Sequence, residues 1–182
     1  MIDWRQLALD LGTLRADGES GSTILARQAL ERIIGDDQWR AAVDHYVLNR
    51  PGFELARSVL SLVRPWAAMQ RCHELILHMD GRAARCSAIE LLRVVADQRM
   101  LPRVPEYLAD PNPDVQFWAA GIVDQLLWSE LVEPEECAEL LAQMDNHSHP
   151  GIQEKAAWIR SFLHRRQQRA ESASDTNSSD SG

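Results

Sequence analysis

One pattern recurs along this chain and limits what it can fold into. It is clearest over residues 100–127, which read Met-Leu-Pro-Arg-Val-Pro-Glu-Tyr-Leu-Ala, then Asp-Pro-Asn-Pro-Asp, then Val-Gln-Phe-Trp-Ala-Ala-Gly-Ile-Val-Asp-Gln-Leu-Leu. Proline with Asp and Asn in the middle marks a tight turn, and Val115, Ala119, Ile122 and Leu126 beyond it follow the helical period. A short helix, a turn and a second helix are therefore expected. Openings like that of the second helix return at Leu25, Leu55, Ala84, Val115 and Ile152, spaced by 30, 29, 31 and 37 residues, as helical repeats are. Each follows a breaker: Gly21-Ser22, Pro51-Gly52, Asp80-Gly81, Pro113-Asp114 and Pro150-Gly151. Proline is tolerated there because the first amides of a helix have no intrahelical acceptor anyway.

The first helices of each pair fall between these openings. Three begin alike, at Asp3-Trp4-Arg5, Gln38-Trp39-Arg40 and Pro65-Trp66-Ala67, so the tryptophans are expected to pack between neighbouring pairs. Pro102 and Pro105 should kink or shorten the fourth. The fifth opens at Pro134-Glu135-Glu136, where acids suit a helix N-terminus. Residues 130–133 lengthen the connection and account for the 37-residue spacing.

A Pro-bearing first helix, an Asp-rich turn and a second helix opening apolar-polar-x-x-Ala-Ala resemble a HEAT repeat. The likeness covers residues 1–164. It departs from the usual repeat after the opening apolar residue, where Gln116 and Gln153 replace the expected arginine and only Arg85 fits. The resemblance implies an all-α fold: a right-handed, armadillo-like α-solenoid of about five HEAT-like helix pairs. The apolar pattern ends near Leu163, and residues 165–182, rich in Arg, Gln, Ser and Asp, are expected to form a disordered polar tail.

Composition narrows the function classes. The 182 residues carry 45% apolar and 25% charged side chains, the balance of a globular protein. The start lacks the profile of a signal peptide, and no apolar run approaches the roughly 20 residues that span a bilayer, so no membrane is expected. Cys72, Cys86 and Cys137, odd in number and far apart, suit buried thiols in a reducing compartment. With arginine used almost to the exclusion of lysine, a bacterial, cytoplasmic protein is the expectation. A net charge of −8 disfavours nucleic acid as the main partner. The charge is uneven: residues 104–154 hold eleven acids and no Lys or Arg.

In a helical solenoid one stripe of each second helix faces the core and the adjacent one lines the binding groove. With Val115, Ala119, Ile122 and Leu126 as core, the second stripe contains Phe117, Asp124 and Trp128, and the aligned positions include Arg27, Arg57, Arg64, Arg93 and Trp158. The expected groove is basic over its first three pairs and aromatic-acidic over the last two. Arg and large aromatics are the side chains that most often anchor protein interfaces. No glycine-rich phosphate loop, nucleophile elbow or paired metal-ligand spacing stands out, so neither catalytic residues nor a metal or cofactor is assigned. The expectation is a non-enzymatic scaffold, adaptor, regulatory or immunity-type module that binds a protein with a basic patch. The alternative that the resemblance implies is a bilin lyase or chaperone, whose tetrapyrrole would meet Arg57, Arg64 or Arg93 and stack on Trp158.

Overall fold

The computed structural model describes the backbone of residues 2–16 and 18–179, and the side chains of these as far as residue 169. It is predominantly α-helical, and its contacts divide the chain into two compact units, Met1–Asp97 and Gln98–Gly182. No described helix is long and apolar enough to cross a membrane.

The first unit begins with α1 (Trp4–Asp10), whose N-terminus is capped by Asp3 accepting from the Gln6 amide. A two-stranded antiparallel hairpin follows, β1 (Leu14–Arg15) pairing with β2 (Gly18–Glu19). Nothing in the helical pattern foretold it. Next come α2 (Thr23–Ile34), α3 (Asp36–Val47), α4 (Phe53–Val63), α5 (Trp66–His78) and α6 (Arg82–Val95). Gly35 ends α2 and starts α3 in one residue at φ 81°, a conformation that side chains with a Cβ adopt at a cost. Helices α2, α4 and α6 contact one another in turn, α3 packs on α5, and α5 lies along α6. Leu60, Met69, Cys72, Ile76, Ile89 and Leu92 are fully buried between them.

The second unit starts with a 3-10 turn, Gln98–Arg103, that contains Pro102 and leads into the short helix α7 (Val104–Leu108). The prolines shorten this helix as the sequence predicts, because each removes an amide donor. Helix α8 (Pro113–Trp128) follows, then a 3-10 turn (Pro134–Cys137), α9 (Ala138–Asp145) and α10 (Pro150–Ser179). Helix α8 packs on α7 and α10, and α9 packs on α10. Val115, Ala119, Ile122 and Leu126, the stripe assigned to the core, are all fully buried.

A helix starts two residues ahead of each of Leu25, Leu55, Ala84, Val115 and Ile152. One interaction recurs at three of them. Arg85 Nε donates to the Ile76 carbonyl at 2.6 Å, Gln116 Nε2 to that of Asp110 at 2.6 Å, and Gln153 Nε2 to that of His147 at 2.7 Å. Each side chain reaches back to the backbone just upstream: Arg85 to the last turn of α5, Gln116 and Gln153 to the loops before α8 and α10.

One expectation is corrected. Of the three tryptophans assigned to packing, only Trp39 is buried (2% exposed), its indole N–H donating to the Glu31 carbonyl at 3.1 Å. Trp4 is 63% exposed, on a helix that buries none of its residues, and Trp66 is 37% exposed at the first position of α5. A recurring residue type at a helix start does not fix which way the side chain turns. The backbone of α10 is helical through Ser179; of the residues 165–182 assigned to a polar tail, 180–182 lie outside the described residues.

Candidate functional site

The second unit carries the most distinctive surface. Helix α8 ends with Ser129 as its C-cap, and Glu130 takes a left-handed φ of 52°. The Leu131 amide returns to the Leu126 carbonyl at 3.0 Å, closing the helix end in the manner of a Schellman turn. Trp128, in the last turn, is left standing out of the surface at 58% exposure. Helix α10 runs alongside and presents Trp158, 46% exposed, and Phe162 one turn later. The Trp128 and Phe162 ring centroids are 4.9 Å apart, Trp158 and Phe162 stack at 5.9 Å with planes 6° apart, and the two indoles lie 6.3 Å apart. Three aromatic rings thus form one open platform.

Beside Trp128 and Phe162 is a cleft of about 400 Å³, lined further by Glu130, Arg165, Arg166 and Arg169. Arg166 Nη2 is 3.1 Å from Glu130 Oε1. The lining of this cleft is aromatic and cationic. The arginines come from the helix beyond Leu163, where the apolar pattern had ended.

Phe117 and Asp124 belong to a neighbouring cluster on α8. Lys155 reaches over from α10, its ammonium 5.1 Å from the Phe117 ring centroid and 3.8 Å from Asp124 Oδ2. The His149 ring centroid is 6.5 Å from that of Phe117. His147 ties the loop before α10 to the end of α7: one ring nitrogen bonds the Leu108 carbonyl at 3.0 Å, and the other accepts from the His149 amide at 3.0 Å. The structure thus brings Trp128 and Trp158 together and places Phe117 and Asp124 around Lys155.

The remaining sequence-assigned residues lie in the first unit and are described by themselves. Arg27, Arg57, Arg64 and Arg93 are half-buried on α2, α4 and α6. Among the described residues, no hydrogen-bond partner meets the buried Nε of Arg27 or of Arg57, although Arg57 Nη1 is 3.4 Å from Glu54. Arg64, at the C-cap of α4 with φ 55°, donates Nη1 to the Ala96 carbonyl at 2.7 Å and so fastens the end of α4 to the end of α6. Burial, and then the like charge of Arg27, lowers its pKa from the usual arginine value.

Sequence reasoning missed Phe162, Lys155 and the three arginines of α10 that line the cleft. Phe162 and Arg165 were findable, since they stand four and seven residues after Trp158 and helical spacing puts all three on one face. Also unforeseen was a charged network between α3 and α5. Arg40 Nη2 meets Glu74 Oε2 at 2.5 Å, and Arg71 holds Asp44 at 2.8 Å and Glu74 at 3.2 Å. The Arg40 hydrogen bond is the main reason that the Glu74 pKa is lowered.

Compared with family models, with curated proteins and with solved structures, the chain finds no match in any of the three.

Proposed function

We propose that this chain is a HEAT-like helical-repeat protein whose task is to bind another protein, with Trp128, Trp158 and Phe162 as the anchor. The observation that carries the reading is the exposure of two indoles, stacked with a phenyl ring on one surface of the second unit. Large exposed aromatic patches mark interaction sites on soluble proteins, and tryptophan is prominent among the residues that dominate binding energy. Because the rings already pack against one another, little side-chain entropy remains to be lost on docking. The repeated Arg/Gln contact to backbone just upstream of a helix supports the repeat reading. An adaptor, a regulatory subunit and an immunity-type inhibitor are all forms that such a module takes.

The test is affinity capture from lysate of the source cell, with wild type beside a Trp128→Ala/Trp158→Ala variant. The reading expects a stoichiometric protein partner that the variant loses while its circular dichroism stays unchanged. A partner held equally well by the variant refutes the assigned anchor. A chromophore retained by the wild type in place of a protein would favour the tetrapyrrole alternative.

A further inference from the structure

The platform is asymmetric, and the asymmetry indicates what it accepts. Trp158, Phe162, Arg165 and Arg169 succeed one another on α10 at intervals of four, three and four, so a single face changes from aromatic to cationic along the helix axis. Three of the six residues lining the cleft are arginines. Its one acid, Glu130, is held by Arg166. Arg165 and Arg169 make no ion pair with another described residue, and both are exposed. Of the other charges nearby, Asp124 is met by Lys155 and Asp145 by Arg160 at 2.5 Å, and Glu154, one turn before Trp158, is outside the cleft lining. The cleft is a cationic spot beside a stretch, 104–154, that contains eleven acids and no base.

Resting on the protein-binding reading, we infer that the occupant of this platform is a short acidic-aromatic segment of the partner. Its aromatic ring lies on Trp128, Trp158 and Phe162, and its carboxylates meet Arg165 and Arg169. Guanidinium forks pair with carboxylates through two parallel hydrogen bonds, and a fork beside an aromatic surface loses less to hydration than an ammonium would. A protein segment fits better than single-stranded nucleic acid, although that ligand also stacks on aromatics beside arginine. A strand bears a phosphate at every nucleotide, which suits poorly a unit whose residues 104–154 hold eleven acids and no Lys or Arg. A peptide with one or two carboxylates brings fewer negative charges.

Four probes, titrated into the full-length protein, test this: a short peptide with a central tryptophan flanked by glutamates, its serine and lysine counterparts, and an oligothymidylate of similar length. The readouts are Kd and the indole N–H resonances of Trp128 and Trp158. The glutamate peptide should bind about tenfold more tightly than the serine peptide, as expected for charge-assisted bidentate pairs, and should shift both indole resonances. In Arg165→Gln/Arg169→Gln that preference should vanish while serine-peptide binding and helicity remain. Equal or tighter binding of the lysine or serine peptide overturns the inference. So does tighter binding of the oligonucleotide, a glutamate preference that survives in the double variant, or the absence of binding by any peptide. If the lysate partner is still lost by Trp128→Ala/Trp158→Ala, such a failure falls on the acidic chemistry alone. If it is not, the protein-binding reading falls as well.

Discussion

Replacing Phe162 by alanine should loosen the platform and cost stability in proportion to the two ring contacts that it makes. The phenyl ring lies 4.9 Å from the Trp128 ring centroid and 5.9 Å from that of Trp158, so its loss removes two aromatic pairs at once. Such pairs contribute about 0.5–1.5 kcal/mol each beyond area burial, and Phe162 is half-buried. A loss of about 2 kcal/mol is therefore expected, below the 3–5 kcal/mol typical of a fully buried phenylalanine. With a urea m-value of about 2 kcal/mol/M, the midpoint should fall by about 1 M at unchanged m. Phe162→Leu retains most of the apolar area and should lose about half as much. Urea unfolding followed by circular dichroism supplies the energies, and the indole N–H resonances of Trp128 and Trp158 report the local change. Both should move and broaden in Phe162→Ala. A variant with an unchanged midpoint and unmoved indole lines would refute the argument, because the rings would then stand independently of one another.

Three further outcomes follow from the geometry. Asp110 is 7% exposed and accepts from the Asn112 amide at 2.8 Å, so Asp110→Ala should cost about 1–3 kcal/mol in urea unfolding and Asp110→Asn, which keeps an acceptor, clearly less. The Glu74 pKa lies below the usual carboxylate value of 4.5, so its pairing with Arg40 and Arg71 contributes stability that is fully present above that value and lost as pH falls through the lowered one. Glu74→Gln should therefore be less stable than wild type by about 1 kcal/mol at pH 7, as partly exposed pairs usually measure, and the difference should close in acid; a difference that is constant with pH would count against the network. Burial pushes the Cys72 thiol far up and that of Cys137 to about 11, so a thiol reagent should modify half-buried Cys86 first and the other two only on unfolding, as mass spectrometry of a timed labelling reaction would show.

The order of helices was legible because breakers and apolar periodicity are local. Pro113, Gly52 and Ser22 act within a turn of where they stand, and the stripe of Val115, Ala119, Ile122 and Leu126 needs no partner to announce its buried face. What sequence did not show depended on a second element. Whether Trp39 or Trp66 is buried turns on which helix covers it, and the pairs Arg71–Asp44 and Arg40–Glu74 join residues 27 and 34 positions apart. The indoles at Trp128 and Trp158 were singled out, yet the residue between them was not. Phe162 matters only because α8 ends beside it, and the pattern reading stopped one residue later, at Leu163.

The Arg/Gln contacts at α6, α8 and α10 also bear on how the chain acquires its structure. Each joins a side chain in the first turn of a helix to a carbonyl only nine, six and six residues upstream. Closing a loop of about ten residues takes roughly 10–100 ns, and chains dominated by such local contacts fold faster than those that must first bring distant segments together. The turn before each of these helices can thus be closed while the helix itself is nucleating, when a new helix is least stable. These three corners are natural starting points for folding, and substituting Gln116 or Gln153 should slow refolding more than it speeds unfolding.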